Sequence, residues 1–448
     1  MERKVGSRVA SRLNGGNMPA KWAVVYSLAV ILCAAGCAER PSDGVTELRF
    51  WAMGREGELA QRLIPDFERA HPDVRVRVQQ VPWSAAHEKL LTAFVGGAMP
   101  DVFQAGSTWM AELVALGAVQ PLDARLDAAT DAPRGDLFPG IAAANRIGER
   151  TWGVPWYVDT RLLFYRRDRL AQAGWPAAPA DWPQWLAALE GVKRQAGDDA
   201  YALLLPVSEW QPLVILALQH GARLLRGDDE YGDFQSAAFR AAFAQYLDFF
   251  ARRLAPAAAE GQLANLYQDF AGGFFSVFIS GPWNLGELAA RLPATLDESW
   301  ATAPMPGLQA GVPGLSVAGG ASLAIAADTP HGDAAWRLVA YLTAPEQQLA
   351  FYRLSGDLPA RPSAWRDGDL AADPRVAAFW TQLQHVAPPP RIPEWERIAA
   401  AITRAAEAAV RGEATPEAAL AALDLQVDAI LEKRRWLLAR RRAAGAPR

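Results

Sequence analysis

Phe274-Phe275-Ser276-Val277-Phe278-Ile279-Ser280-Gly281-Pro282-Trp283-Asn284-Leu285-Gly286-Glu287-Leu288 carries a strand and a helix back to back. The first half is apolar, aromatic and β-branched, the composition of a buried strand. Ser280-Gly281-Pro282 breaks it, and the residues from Asn284 onward read as a helix. Trp283 therefore stands where a strand gives way to a helix, the place at which open α/β sheets take ligands. A flat apolar ring there can stack on a flat ligand, whereas the competing reading is a core tryptophan wedged under a loop.

Upstream, Glu47–Trp51 alternates as a strand, Gly54–Glu58 opens a loop, and Leu59–Ala70 has the apolar spacing of a helix. Val74, Val76 and Val78 alternate with polar residues in a second strand, and Ala85–Gly96 reads as a helix. Pro100–Phe103 is a third strand, followed by a loop through Trp109 and a helix at Met110–Leu116. This alternation implies a parallel sheet whose loop tips hold Glu56, Trp83, Gln104, Ser107 and Trp109. Pro121–Asp123 reads as a crossing into a second lobe. There, Thr151–Pro155 and Arg161–Tyr165 read as strands around a tip at Trp156-Tyr157-Val158-Asp159-Thr160, and Pro206–Trp210 is a further tip. Gly319-Gly320 open another strand where a backbone can approach a ligand closely, and Gly356–Ala360 reads as a second crossing. Glu394–Arg411 and Thr415–Arg441 are terminal helices.

A chain of 448 residues exceeds one ordinary core, so two lobes are expected. Its formal net charge of -4 leaves no nucleic-acid footprint in the total. The basic run Lys433–Arg442 reads as a solvated helix end favoured by the helix dipole. Seventeen tryptophans are a heavy load, and tryptophan is enriched where one edge is wet. Trp22–Ala35 is a short apolar run after Lys21 that closes in small residues, the form of an export signal, with Met18 as a second candidate start. Ala34-Ala35-Gly36-Cys37 resembles a bacterial lipoprotein box, which makes 1–36 a signal peptide, Cys37 the lipidated first residue and 37–46 a flexible tether. The other of the two cysteines, Cys33, lies inside the signal, so the exported chain has no disulfide.

No catalytic centre stands out. The five histidines fall at no ligand spacing, so no metal site is expected, and neither a phosphate loop nor a nucleophile elbow occurs. Glu209 and Asp159 are the carboxylates to test for glycoside hydrolysis, with hydrogen bonding to ligand hydroxyls as the alternative role.

Five motifs in order are similar to those of the solute-binding proteins of bacterial ABC importers, in the cluster that includes maltose-binding protein. They are Pro100-Asp101-Val102; Val154-Pro155-Trp156-Tyr157-Val158-Asp159 leading to Phe164-Tyr165-Arg166-Arg167-Asp168; Ser280-Gly281-Pro282-Trp283-Asn284; Gly319-Gly320; and Leu358-Pro359-Ala360. The resemblance spans nearly the whole exported chain. It implies an α/β, two-lobe periplasmic-binding-protein fold of type II, its discontinuous lobes joined by a hinge around a ligand cleft. Lobe 1 would be 47–122 plus 304–355, and lobe 2 would be 123–303 plus 356–448. It implies a stacking role for Trp283, a second stacking aromatic at Trp395, and Glu209 and Trp210 at a ligand-facing tip. Ser107 and Trp109 would face the ligand from lobe 1, with Glu56 and Trp83 at equivalent tips. Trp156, Tyr157, Asp159, Gln104 and Gly320 complete the expected set. Where the family often has Asn-Lys-Asp this chain has Arg166-Arg167-Asp168, a change expected at the surface. The expected protein is a monomer without a cofactor. It binds a sugar, hands it to a permease and is held to a membrane through Cys37. A glycerol phosphate diester, kept open by Arg55 and Arg161, a polyamine, and a secreted glycosidase are the alternatives.

Overall fold

The computed structural model describes residues 44–129, 135–258, 265–366, 370 and 372–443. The leader, Cys37 and most of the expected tether lie outside the described residues. The chain divides into Met1–Thr46 and a compact unit, Glu47–Arg448.

Ten strands build the two main sheets of that unit. They are β1 (Thr46–Met53), β2 (Val74–Val81), β3 (Val102–Gly106), β4 (Val154–Asp159), β5 (Leu162–Arg166), β6 (Leu203–Leu204), β7 (Val277–Ser280), β8 (Trp300–Ala303), β9 (Gly319–Ile325) and β10 (Leu358–Pro359). The first sheet has the order β10-β4-β9-β3-β1-β2 and the second β8-β5-β7-β6. In β1, Leu48, Phe50 and Ala52 enter one apolar cluster, while Trp51 and Met53 enter another. In β5, Leu163 and Tyr165 are divided in the same way from Leu162 and Phe164. Successive side chains thus point to opposite faces, the pattern of a sheet buried on both sides by helices.

β1 and β3 pair in parallel, as the alternating order implies. β9 runs antiparallel to both β3 and β4, so the whole sheet is mixed. The first crossing does not fall at Pro121–Asp123. Leu122 and Leu126 still pack in the core beside Leu48 and Phe50, and β4 hydrogen-bonds into the same sheet. The chain passes to the second sheet only between Asp159 and Leu162. Val154–Asp159 and Leu358–Pro359, expected in lobe 2, are therefore strands of the first sheet. Pro155 hides this strand in the sequence, because proline cannot donate to a ladder. The structure accommodates it at a register shift, where Ala321 opposes Tyr157 but Ser322 opposes Pro155. Gly54–Glu58, expected as a loop, belongs to a short helix, Gly54–Ala60, that begins directly after β1.

Arg166 is also not at the surface. Its side chain is 4% exposed and reaches Asp168 through two nitrogens, at 2.8 and 2.7 Å, and the carbonyls of Phe270 and Ala271 at 3.0 and 2.9 Å. The planar guanidinium fits these four acceptors in a way a lysine ammonium does not. The long helix expected at the C-terminus is divided into Pro416–Ile430 and Glu432–Ala443.

Candidate ligand-binding site

The turn after β7 is held by its own sequence. Asn284 Nδ2 donates to Ser280 Oγ at 2.7 Å, and Tyr267 donates its hydroxyl to Asn284 Oδ1 at 3.1 Å. Pro282 precedes the first residue of the Trp283–Arg291 helix. A Cβ on Gly281 would lie 2.0 Å from Trp283 Cζ3, so glycine leaves the room into which the indole folds back. The Arg161 guanidinium lies over the same indole, 4.6 Å from the ring centroid.

Trp283 forms part of the wall of a cavity of about 600 Å³, within the range of small-molecule sites. The ends of both sheets contribute. From the first come Glu56, Trp83, Ser107, Trp109, Tyr157, Asp159 and Gly320; from the second come Arg161, Trp210, Trp283, Glu287 and Glu396. Trp83 meets Trp109 edge to face at 5.6 Å, and its Nε1 donates to Glu56 Oε1 at 3.2 Å. Behind Trp109 lies His87, whose Nε2 is 2.8 Å from Glu112 Oε2. Burial works against a charged His87, but that carboxylate outweighs it and holds the ring above its ordinary range. On the opposite side, Trp210 stands edge to face on Trp395 at 5.2 Å.

The floor is polar and acidic. Tyr157 donates its hydroxyl to Glu56 Oε1 and accepts from Gln104 Nε2, both at 2.9 Å. Burial holds the Glu56 carboxyl above the usual carboxylate range. Asp357 is 5% exposed, and burial together with neighbouring Glu56 lifts its carboxyl well above that range. Asp159 is raised by burial, against the pull of Arg161 Nη1 at 3.2 Å. It also accepts from the backbone N–H of Gly320. A Cβ on Gly319 would meet Asp159 Oδ1 at 2.1 Å, so the glycine pair makes room for this carboxylate as well as for a ligand. Polar contacts also reach across the cleft: Arg55 pairs with Glu287, and Thr108 hydrogen-bonds Glu396. Among the described residues no group of side chains could hold a metal ion.

Nine of the thirteen ligand-facing residues expected from sequence line this cavity: Glu56, Trp83, Ser107, Trp109, Tyr157, Asp159, Trp210, Trp283 and Gly320. Four do not. Trp156 is wholly buried, stacked on Phe351 at 4.4 Å, because strand alternation turns it away from the face that Tyr157 presents. Trp395 is wholly buried behind Trp210, and its neighbour Glu396 reaches the cavity instead. Gln104 is beneath the floor, accepting from the Met53 N–H at 2.7 Å while it holds Tyr157. Glu209 lies outside the cavity lining, and its charge acts on Tyr246. The sequence reading missed Gln211, Glu287, Ser355, Asp357 and Glu396. Only Glu287 carried a local signal, one helical turn beyond Trp283.

The family model of bacterial extracellular solute-binding proteins matches residues 53–349. The chain belongs to that family. As a solute-binding protein it has the two-lobe periplasmic-binding-protein fold, and its solved relatives agree. The sugar-binding protein MalE of the phytopathogen Xanthomonas citri is 41% identical, covers 88% of this chain and 99% of its own, and superposes with a TM-score of 0.83. Among curated relatives, an uncharacterized lipoprotein of the oleD 5′ region of Streptomyces antibioticus is 28% identical over 365 residues, 78% of each chain. The diacetylchitobiose-binding protein DasA of Streptomyces coelicolor is 25% identical over 341 residues, 75% of this chain and 77% of that one. Solute-binding proteins of this family are extracellular and bind substrates.

Proposed function

We propose that the chain captures a sugar or short oligosaccharide in the cleft between its two sheets and delivers it to the membrane permease of an ABC importer. The observation that carries this reading is the set of four indoles, Trp83, Trp109, Trp210 and Trp283, around one cavity floored by carboxylates. Indole faces cover the apolar faces of sugar rings, and the carboxyl oxygens accept from ring hydroxyls. Specificity follows because a ligand lacking a hydroxyl would leave a buried acceptor unpaired. A ligand touching both sides draws the cleft shut by its differential affinity for the closed form, the form a permease distinguishes. The role is binding without turnover, so the sugar should be recovered unchanged.

A phosphodiester ligand is disfavoured, because Arg55 and Arg161 already carry carboxylate partners. A cationic ligand is the second reading: five carboxylates, Glu56, Asp159, Glu287, Asp357 and Glu396, line the cavity beside two arginines. Thermal unfolding with a panel of neutral oligosaccharides, spermidine and glycerophosphocholine separates these readings. A sugar at 100 times its dissociation constant adds about 2.7 kcal/mol and raises Tm. A shift with spermidine alone would favour the second reading, and one with glycerophosphocholine alone would overturn both.

The proposal includes a lipid anchor at Cys37 on an exported monomer, supported by the Ala34-Ala35-Gly36-Cys37 box. Cys37→Ser should move the protein from the membrane fraction to the soluble fraction of the cell envelope. Unchanged partition would show that something other than this lipid holds it there.

A further inference from the structure

The last helix, Glu432–Ala443, presents two unlike faces. At 3.6 residues per turn, Arg434, Arg435, Leu438 and Arg442 share one side. That side is docked. Arg434 Nε donates to the Asp229 carbonyl at 3.0 Å, and Arg435 Nη1 donates to the Glu230 carbonyl at 2.9 Å and lies over Tyr231. Arg442 pairs with Glu230 and Asp228. The rest of the circumference carries Lys433, Trp436, Leu437, Arg440 and, bordering Arg434, Arg441. All five are exposed, Trp436 by 55% and Leu437 by 43%, and the Arg440 guanidinium lies 4.5 Å over the Trp436 ring. The helix has a single acidic residue, Glu432, at its start.

A merely solvated helix end has no reason to leave a tryptophan and a leucine side by side in water, flanked by three cations. We propose that this outer face is a contact surface for an anionic lipid bilayer. Lys433, Arg440 and Arg441 would meet headgroup phosphates, and Trp436 and Leu437 would enter the boundary between headgroups and acyl chains. Each element fits: tryptophan favours that boundary, long cationic stems extend their charge toward headgroups, and basic residues near an anionic surface each strengthen binding about fivefold. The docked arginines fix the orientation, so the helix need not fold on contact. The apolar pair sets this surface apart from one that reads only a polyanion, which would use the charges alone. The surface is independent of the sugar cleft and of any lipid on Cys37.

The test uses the exported chain from residue 38, without its lipid, sedimented with vesicles of phosphatidylcholine, pure or mixed with phosphatidylglycerol. The protein should pellet with the mixed vesicles and stay in solution with the pure ones. Lys433→Glu with Arg441→Glu should lower the partition coefficient by about tenfold or more. Trp436→Ala with Leu437→Ala should also lower it severalfold, with an unchanged circular dichroism spectrum and Tm. Arg62→Glu with Arg194→Glu, the same charge change at exposed positions elsewhere, should leave it unaltered. The proposal is overturned if the wild type ignores phosphatidylglycerol or if the charge-reversed face binds like the wild type. Loss of binding on charge reversal but not on removal of Trp436 and Leu437 would also overturn it, by revealing a contact with polyanions in general.

Discussion

Trp283→Ala should weaken sugar binding by roughly 30- to 150-fold, about 2–3 kcal/mol, while leaving the melting temperature of the unliganded protein nearly unchanged. The two halves of that result have separate causes. Trp283 belongs to none of the buried apolar clusters, so its removal opens no core cavity. The helix it begins is held by Asn284 on Ser280 and by the packing of Leu285 and Leu288, none of which needs the indole. The ring is partly exposed to the cavity and steadied by Arg161, so a sugar that covers it gains a large, pre-oriented apolar surface. Trp283→Phe should retain part of the affinity. Titration calorimetry with the best sugar from the thermal screen, paired with thermal melts of the free protein, measures both halves. A variant that melts much lower than the wild type would assign Trp283 to the core instead.

Asp357→Asn should make the empty protein more stable and the sugar complex weaker. Burial and the neighbouring Glu56 raise the folded-state pKa of Asp357. Between its unfolded value, about 3.9, and that raised value the folded protein binds more protons than the unfolded chain. Stability contributed by this group is therefore full below the unfolded value and lost as pH rises through the folded one. Asparagine cannot ionise, so the variant's advantage should be absent at low pH, grow through this window and persist at pH 7 as a Tm higher by on the order of 1–3 °C. Sugar affinity should fall by roughly two- to tenfold, because a hydrogen bond from a sugar hydroxyl to this side chain contributes about 0.5–1.5 kcal/mol. A lower Tm at neutral pH, or a Tm difference that does not change with pH, would sink this account of the carboxylate.

The positions legible in the sequence were those at strand ends. Trp283, Trp210, Trp109 and Ser107 each follow a strand or short apolar run at a break that local composition marks, and all four line the cavity. Positions that depend on the phase of a strand or helix were harder. Trp156 and Tyr157 are adjacent, and only the register of β4 against β9, shifted beside Pro155, decides which one reaches the cavity. Trp395 and Glu396 present the same problem at the first turn of the Trp395–Val410 helix. Asp357 was invisible for another reason. It reaches the cavity because Leu358–Pro359 pairs with β4, a contact between residues some two hundred positions apart that local pattern cannot carry. The surface role expected for Arg166 failed because its carbonyl partners, Phe270 and Ala271, lie 104 and 105 positions away in sequence.

The Arg55–Glu287 pair bears on how well an importer can tell a loaded carrier from an idle one. It ties the helix after β1 directly to the helix of Trp283, side chain to side chain. Arg55 is more than half exposed, and pairs of that kind contribute about 0–1 kcal/mol. Such a pair enriches the empty shut form by at most about fivefold. A sugar held by indoles and carboxylates from both sides supplies several times that free energy, so cargo rather than the latch decides which carriers are shut. Futile ATP hydrolysis triggered by empty carriers is thereby kept small. Because salt screens exposed charges, that leak should widen in dilute surroundings and narrow in saline ones.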